Sequence, residues 1–217
     1  MTDTITGFSL LELFEMGGPM MWPLLIFSIA AVAITLERGI FLLYHNLELE
    51  DLKIRVEEAI KTGNTTEAKE FLESKSRRRM GARILLALLN KSGLSEHRLE
   101  KAVEAEALKC ISSLENGFSL LTALGSISPL TGFLGTVTGM IGAFKSISEA
   151  ADVNAQIVAG GIYEALITTV YGLIIAIVAM SAHSLFSHVV DKFAAETETV
   201  CSDLIIEITE SREKNED

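Results

Sequence analysis

The chain has 217 residues, 49% of them hydrophobic, and a formal net charge of −11. It is too apolar for an ordinary soluble domain and too charged for a protein made only of spans, which leaves an integral membrane protein with a sizeable polar part. The acidic balance argues against a nucleic-acid partner, and two cysteines, Cys110 and Cys201, suit neither a zinc site nor a disulfide framework, so they read as reduced packing residues.

The N-terminal segment, residues 1–19, has no basic leader and no small-residue cleavage pattern, so the first span is expected to act as an uncleaved membrane signal. That span is predicted at residues 20–43, with Trp22 and Pro23 marking one interface and Glu37 and Arg38 near the other end as structural anchors. Residues 44–117 read as helical. Leu49, Leu52, Val56, Ala59 and Ile60 form one amphipathic face, Gly63-Asn64 breaks it, and Thr65 or Thr66 can cap a short helix through Phe71-Leu72. The run Arg77-Arg78-Arg79 follows. It either attracts anionic lipid headgroups or is a solvated face with acidic neighbours such as Glu70 and Glu73. Ser95 is a good N-cap for a helix expected to run on into the second span as one rod of about 50 residues, since no Gly or Pro interrupts it before Gly117.

The second span, residues 118–144, carries the most informative pattern. Its small residues Gly125, Ser128, Gly132, Gly135, Gly139 and Gly142 are spaced by three or four, which puts them on one stripe of an α-helix. Glycine costs a lone helix about 1 kcal/mol per residue against alanine. A stripe of it makes physical sense where another helix comes very close, as small-xxx-small faces do in membranes. A connection at residues 145–164 leads to a third span at 165–186, and a tail at 187–217 is expected to continue that helix. All three spans reach the roughly 20 apolar residues that cross about 30 Å of hydrocarbon.

Lys and Arg are distributed unevenly: none in residues 1–19, 13 in 44–117, only Lys145 in 145–164, and three after 186. The positive-inside rule then predicts the N-terminus and the 145–164 connection outside, and the 44–117 region and the tail in the cytoplasm. The expected architecture is all-α, with three transmembrane helices and long helices extending into the cytoplasm.

No phosphate loop, metal-ligand spacing or nucleophile–base arrangement occurs, so neither an enzyme nor a cofactor is expected. His183 and His188 are five residues apart, not the four that place two ligands on one helix face. Glu164 opens the third span and has two readings: a carboxylate stabilised by the helix dipole in the first turn, or an ion-attracting group at the outer mouth of a pathway. Thr136, Thr138, Thr168 and Thr169 lie at membrane depth. Each can satisfy itself on a carbonyl four residues back. Thr136 is set apart because it borders the glycine stripe, and Thr169 because it lies below Glu164 on a side continued by Gly172 and Ala176. Hydroxyls from two packed helices can line a narrow polar path. Yet no Asp, Glu or Lys lies near the middle of any span. This chain offers walls, and an ion carrier would have to come from another polypeptide.

Gly132-Phe-Leu-Gly-Thr-Val-Thr-Gly139 resembles the second-span motif of the MotA/TolQ/ExbB proton-channel family, and Glu164-Ala-Leu-Ile-Thr-Thr-Val-Tyr-Gly-Leu-Ile-Ile-Ala176 its third-span motif. Leu36-Glu-Arg38, three spans and the large segment between the first two resemble the ExbB/TolQ branch. The resemblance implies an inner-membrane homo-oligomer, a pentamer, around the single span of an ExbD/TolR-like partner. The partner would bring the missing aspartate, and proton flow would pass work to a TonB-like or TolA-like transducer. It places the family's second-span polar position on Thr136 and its third-span acid and hydroxyl on Glu164 and Thr169, facing the lumen of the ring. One departure is Thr138, where many ExbB and TolQ sequences carry Trp.

Overall fold

A computed structural model describes residues 14, 16–149 and 155–216. Seven α-helices are found among the described residues: α1 Met21–Tyr44, α2 Glu50–Thr62, α3 Thr65–Lys75, α4 Met80–Lys91, α5 Glu96–Leu114, α6 Phe118–Glu149 and α7 Ala155–Glu216. Three of them, α1, α6 and α7, are long and apolar enough to cross a membrane. Most of residues 1–19, residues 150–154 of the expected connection and residue 217 of the tail lie outside the described residues.

The described residues fall into two compact units, one within Met1–Glu37 and Gly117–Ser184, the other within Arg38–Asn116 and Leu185–Asp217. In the first, the inward stripe of α1 carries Met21, Leu24 and Ala31, each 1% exposed or less, and α6 buries Phe118, Leu121, Ser128 and Ala143. The large apolar side chains left outward, such as Ile26, Ile29, Leu130, Phe133, Ile141 and Ile177, are 62–68% exposed. Such a surface is stable only against lipid or other helices.

The second unit is a helical cluster with an ordinary core. The amphipathic face of α2 is buried in full, at Leu52, Val56, Ala59 and Ile60 with Leu49 at the N-cap, and α4 adds Ile84, Leu85, Leu88 and Leu89. From α7, Phe193, Leu204 and Ile208 complete it. Each such side chain contributes about 1.5–3 kcal/mol when fully removed from water. Gly63 ends α2 in the left-handed conformation at φ 72°, where a side chain would be strained. Neither Thr65 nor Thr66 caps α3; Asn64 occupies the N-cap position, without a side-chain bond. Arg38 is 7% exposed, donates to the Ser113 carbonyl at 3.4 Å and packs over Phe41. Ser113 lies in the last turn of α5, where a cation is favoured by the helix dipole. Burial pushes the Cys110 thiol up from its ordinary value.

The expected rod from Ser95 into the second span is broken. α5 stops at Leu114 and α6 begins at Phe118, with Gly117 between them at φ 86°. One glycine in that conformation ends the helical run, which a count of helix formers cannot detect. The tail does continue the third span: α7 is one helix of 62 residues.

Candidate functional site

The site lies in the first unit, where α6 and the first part of α7 pack antiparallel. As residue numbers rise along α6, the α7 partners fall: Gly125 faces Met180, Ser128 faces Gly172, Gly132 faces Thr168 and Thr169, and Gly139 faces Gly161 and Ala165. A Cβ added at Gly132 would lie 2.7 Å from the Thr168 carbonyl oxygen, and one at Gly172 would lie 2.5 Å from the Ser128 carbonyl oxygen. Both separations are closer than van der Waals contact allows, so backbone faces backbone here. Every stripe position up to Gly139 therefore contributes to packing within one chain. A Cβ added at Gly142 would meet nothing within 4 Å, and the residue opens instead onto a cavity.

The second half of this contact is a matching stripe on α7: Gly161, Ala165, Thr168, Gly172, Ala176 and Ala179. Its steps of three and four are as regular as those on α6. From the sequence, only Gly172 and Ala176 of it are expected as a small-residue side. Close approach also permits weak Cα–H···O contacts, which add modestly to the van der Waals term.

Thr136 and Thr169 are brought together at the centre of the contact, where their hydroxyls hydrogen-bond each other. Around them lie two carbonyl oxygens. Thr136 Oγ1 is 3.1 Å from the Ala165 oxygen and 3.4 Å from the Gly132 oxygen. Thr169 Oγ1 is 3.3 Å from the Gly132 oxygen and 3.5 Å from the Ala165 oxygen. Thr168 Oγ1 reaches the same pair at 3.2 Å and 2.8 Å. Each hydroxyl has one proton and several acceptors within reach, so donor directions can be exchanged without moving heavy atoms. Thr168 is 1% exposed and wholly engaged in the contact, whereas Thr136 and Thr169 are half-buried. The sequence places Thr169 on the side continued by Gly172 and Ala176; in the structure Thr168 lies on that stripe and Thr169 beside it.

Glu164 does not join the hydroxyls. It lines a cavity of about 440 Å³ with Gly17, Pro19, Thr138, Gly142 and Ser146, and Gly135 lies on the wall between cavity and hydroxyl cluster. α7 begins at Ala155, more than two turns before Glu164. The first-turn dipole reading therefore does not hold, because that effect fades within one turn. A residue not anticipated from the sequence is Gly18. It has φ 66°, and a Cβ there would overlap the Glu164 carboxyl group. The Gly17-Gly18-Pro19 run is the signal that could have marked it. Thr138, exposed on the cavity wall, bonds the Leu134 and Gly135 carbonyls at 3.0 and 3.1 Å. His183 rests edge-on against Phe118.

The helix contact thus offers three hydroxyls and two carbonyl oxygens without a titrating group, and the carboxylate of Glu164 lies apart on the cavity. The profile of the MotA/TolQ/ExbB proton channel family matches residues 65–199. An ExbB-like biopolymer transport protein of Synechocystis sp. is 36% identical over 198 residues, covering 86% of this chain and 75% of that protein. Biopolymer transport protein exbB1 of Vibrio cholerae is 31% identical over 88% of this chain and 84% of its own length. The Tol-Pal system protein TolQ of Haemophilus influenzae is 46% identical over a shorter stretch, 36% of this chain and 34% of that protein. The chain belongs to the MotA/TolQ/ExbB proton channel family, in its ExbB/TolQ branch.

Proposed function

We propose that this chain is the ExbB-type wall subunit of a motor driven by the proton-motive force in the bacterial inner membrane. Several copies, a pentamer on the family pattern, surround the single span of an ExbD/TolR-like partner. The partner supplies the carboxylate that binds the proton, and a TonB-like transducer takes up the work to energise outer-membrane transport. The Lys and Arg distribution supports an N-terminus in the periplasm and a C-terminus in the cytoplasm. The chain itself carries no catalytic activity on this reading.

The observation that carries the proposal is the hydroxyl pair Thr136–Thr169 held against the Gly132 and Ala165 carbonyls. It is polar, half-buried and uncharged, and it lies within a mostly apolar helix pair. A partner carboxylate moving past it could find a donor when ionised and an acceptor when protonated.

A TolQ-type role in envelope maintenance is the second reading, favoured by the TolQ relative. Deletion separates the two: loss of growth under iron limitation supports the first, and detergent sensitivity supports the second. The test of the wall itself is Thr136→Val, which removes the hydroxyl and keeps the shape. Energised uptake is expected to fall at least about tenfold, with the oligomer intact on native mass spectrometry. Normal uptake with valine would refute the role.

A further inference from the structure

The run Arg77-Arg78-Arg79 is strongly basic, and its members have different surroundings. Arg79 is paired within the second unit: its guanidinium holds both Asp51 carboxylate oxygens and the Glu48 carbonyl at 2.6 Å. The acidic neighbours expected from sequence, Glu70 and Glu73, are not its partners. Arg78 stacks its guanidinium over the ring of Tyr44, 5.4 Å from the centroid. Arg77 is exposed. Neither Arg77 nor Arg78 is paired with a carboxylate among the described residues.

Tyr44 is the last residue of α1, a helix long and apolar enough to cross a membrane. Beside it Leu43 and Ile40 are 88% and 67% exposed. Apolar side chains so exposed at the end of a span lie in hydrocarbon, and a tyrosine just beyond them lies among the headgroups. The cation–π contact therefore sets the height of Arg78 at the headgroup layer. Sequence could not do this, because more than thirty residues separate Arg78 from the span. The anion available at that height is a phosphodiester, whose oxygens match the planar fork of a guanidinium.

We propose that Arg78, held at the Tyr44 end of α1, and its exposed neighbour Arg77 bind the phosphate of an anionic phospholipid whose acyl chains run along Ile40 and Leu43. Two guanidiniums free of carboxylates favour a headgroup with net negative charge over a zwitterionic one. This rests on α1 as a span and not on proton coupling.

The full chain in nanodiscs of mixed phosphatidylglycerol and phosphatidylcholine provides the test, with retained lipid identified by native mass spectrometry. Preference for phosphatidylglycerol is expected to fall about 5-fold per arginine, so roughly 25-fold in Arg77→Gln/Arg78→Gln. Lys91→Gln/Arg98→Gln, which removes the same charge from exposed positions on other helices, is expected to leave it unchanged. Undiminished preference in the arginine variant overturns the proposal, as does an equal loss in the control. Displacement of the lipid by millimolar inorganic phosphate overturns it too, by showing a free-anion site. Should the double variant lose helical circular dichroism, Arg77→Gln alone decides, at about 5-fold.

Discussion

Glu164 and Gly18 meet where two distant parts of the chain approach each other. The carboxyl group occupies the space that a side chain at position 18 would need, and the left-handed φ of 66° removes the alternative of turning it away. Two outcomes are expected. Glu164→Gln keeps the shape and removes the charge, and lowers energised uptake several-fold if the cavity attracts the ion. Gly18→Ala imposes roughly 1 kcal/mol or more of backbone strain and displaces the carboxyl group, so it reproduces much of that loss. Uptake assays on the two variants, with the oligomer checked by native mass spectrometry, decide the matter. A silent Glu164→Gln would favour a membrane scaffold without ion flow. The threonines were legible in the sequence because a hydroxyl in an apolar run stands out. Gly18 was not, because its reason lies nearly 150 residues away.

The helix pair α6–α7 is held by backbone proximity, which depends on absent side chains. Gly132→Ala places a methyl 2.7 Å from the Thr168 carbonyl oxygen and 3.1 Å from the Thr169 Cα. Neither can yield, since both are helix backbone, and a cost of about 1–3 kcal/mol is expected from overpacking. Gly142→Ala meets nothing within 4 Å, so it is expected to be neutral or to stabilise by up to about 1 kcal/mol through helix propensity. Thermal melting in detergent, followed by circular dichroism, compares the two directly. Equal effects would show that the stripe is read wrongly as a contact surface. The stripe's period was visible in the sequence, but its partner was not. Six small residues at helical spacing say that something comes close; they do not say whether it belongs to the same chain. The extent of α6 past residue 144, and the break at Gly117, were likewise decided by local backbone rather than by hydropathy.

Across the whole molecule, polar links tie segments far apart in sequence within the second unit. Arg79 beside Asp51 holds that carboxyl below its ordinary value of 3.8, and Arg83 holds Glu106 below 4.5. A carboxyl group lowered in the folded state contributes stability that is present above its unfolded value and is lost as pH falls through the folded one. The melting temperature is therefore expected to be steady from neutral pH to about 5 and to drop below about 4, with Asp51→Asn blunting the drop. These pairs are partly exposed, so each contributes no more than about 1 kcal/mol. An unchanged acid profile in Asp51→Asn would remove Asp51 from the account. Sequence by itself determined the membrane class, the three spans and the small-residue stripe, because hydropathy and helical period are local properties carried by consecutive residues. Tertiary structure alone decided that the stripe meets a second one on α7, that Thr136 pairs with Thr169 while Glu164 stands apart, and that Arg79 belongs to Asp51. Those pairings join residues 22 to 55 positions apart, and only the folded backbone sets which of the many possible partners comes within reach.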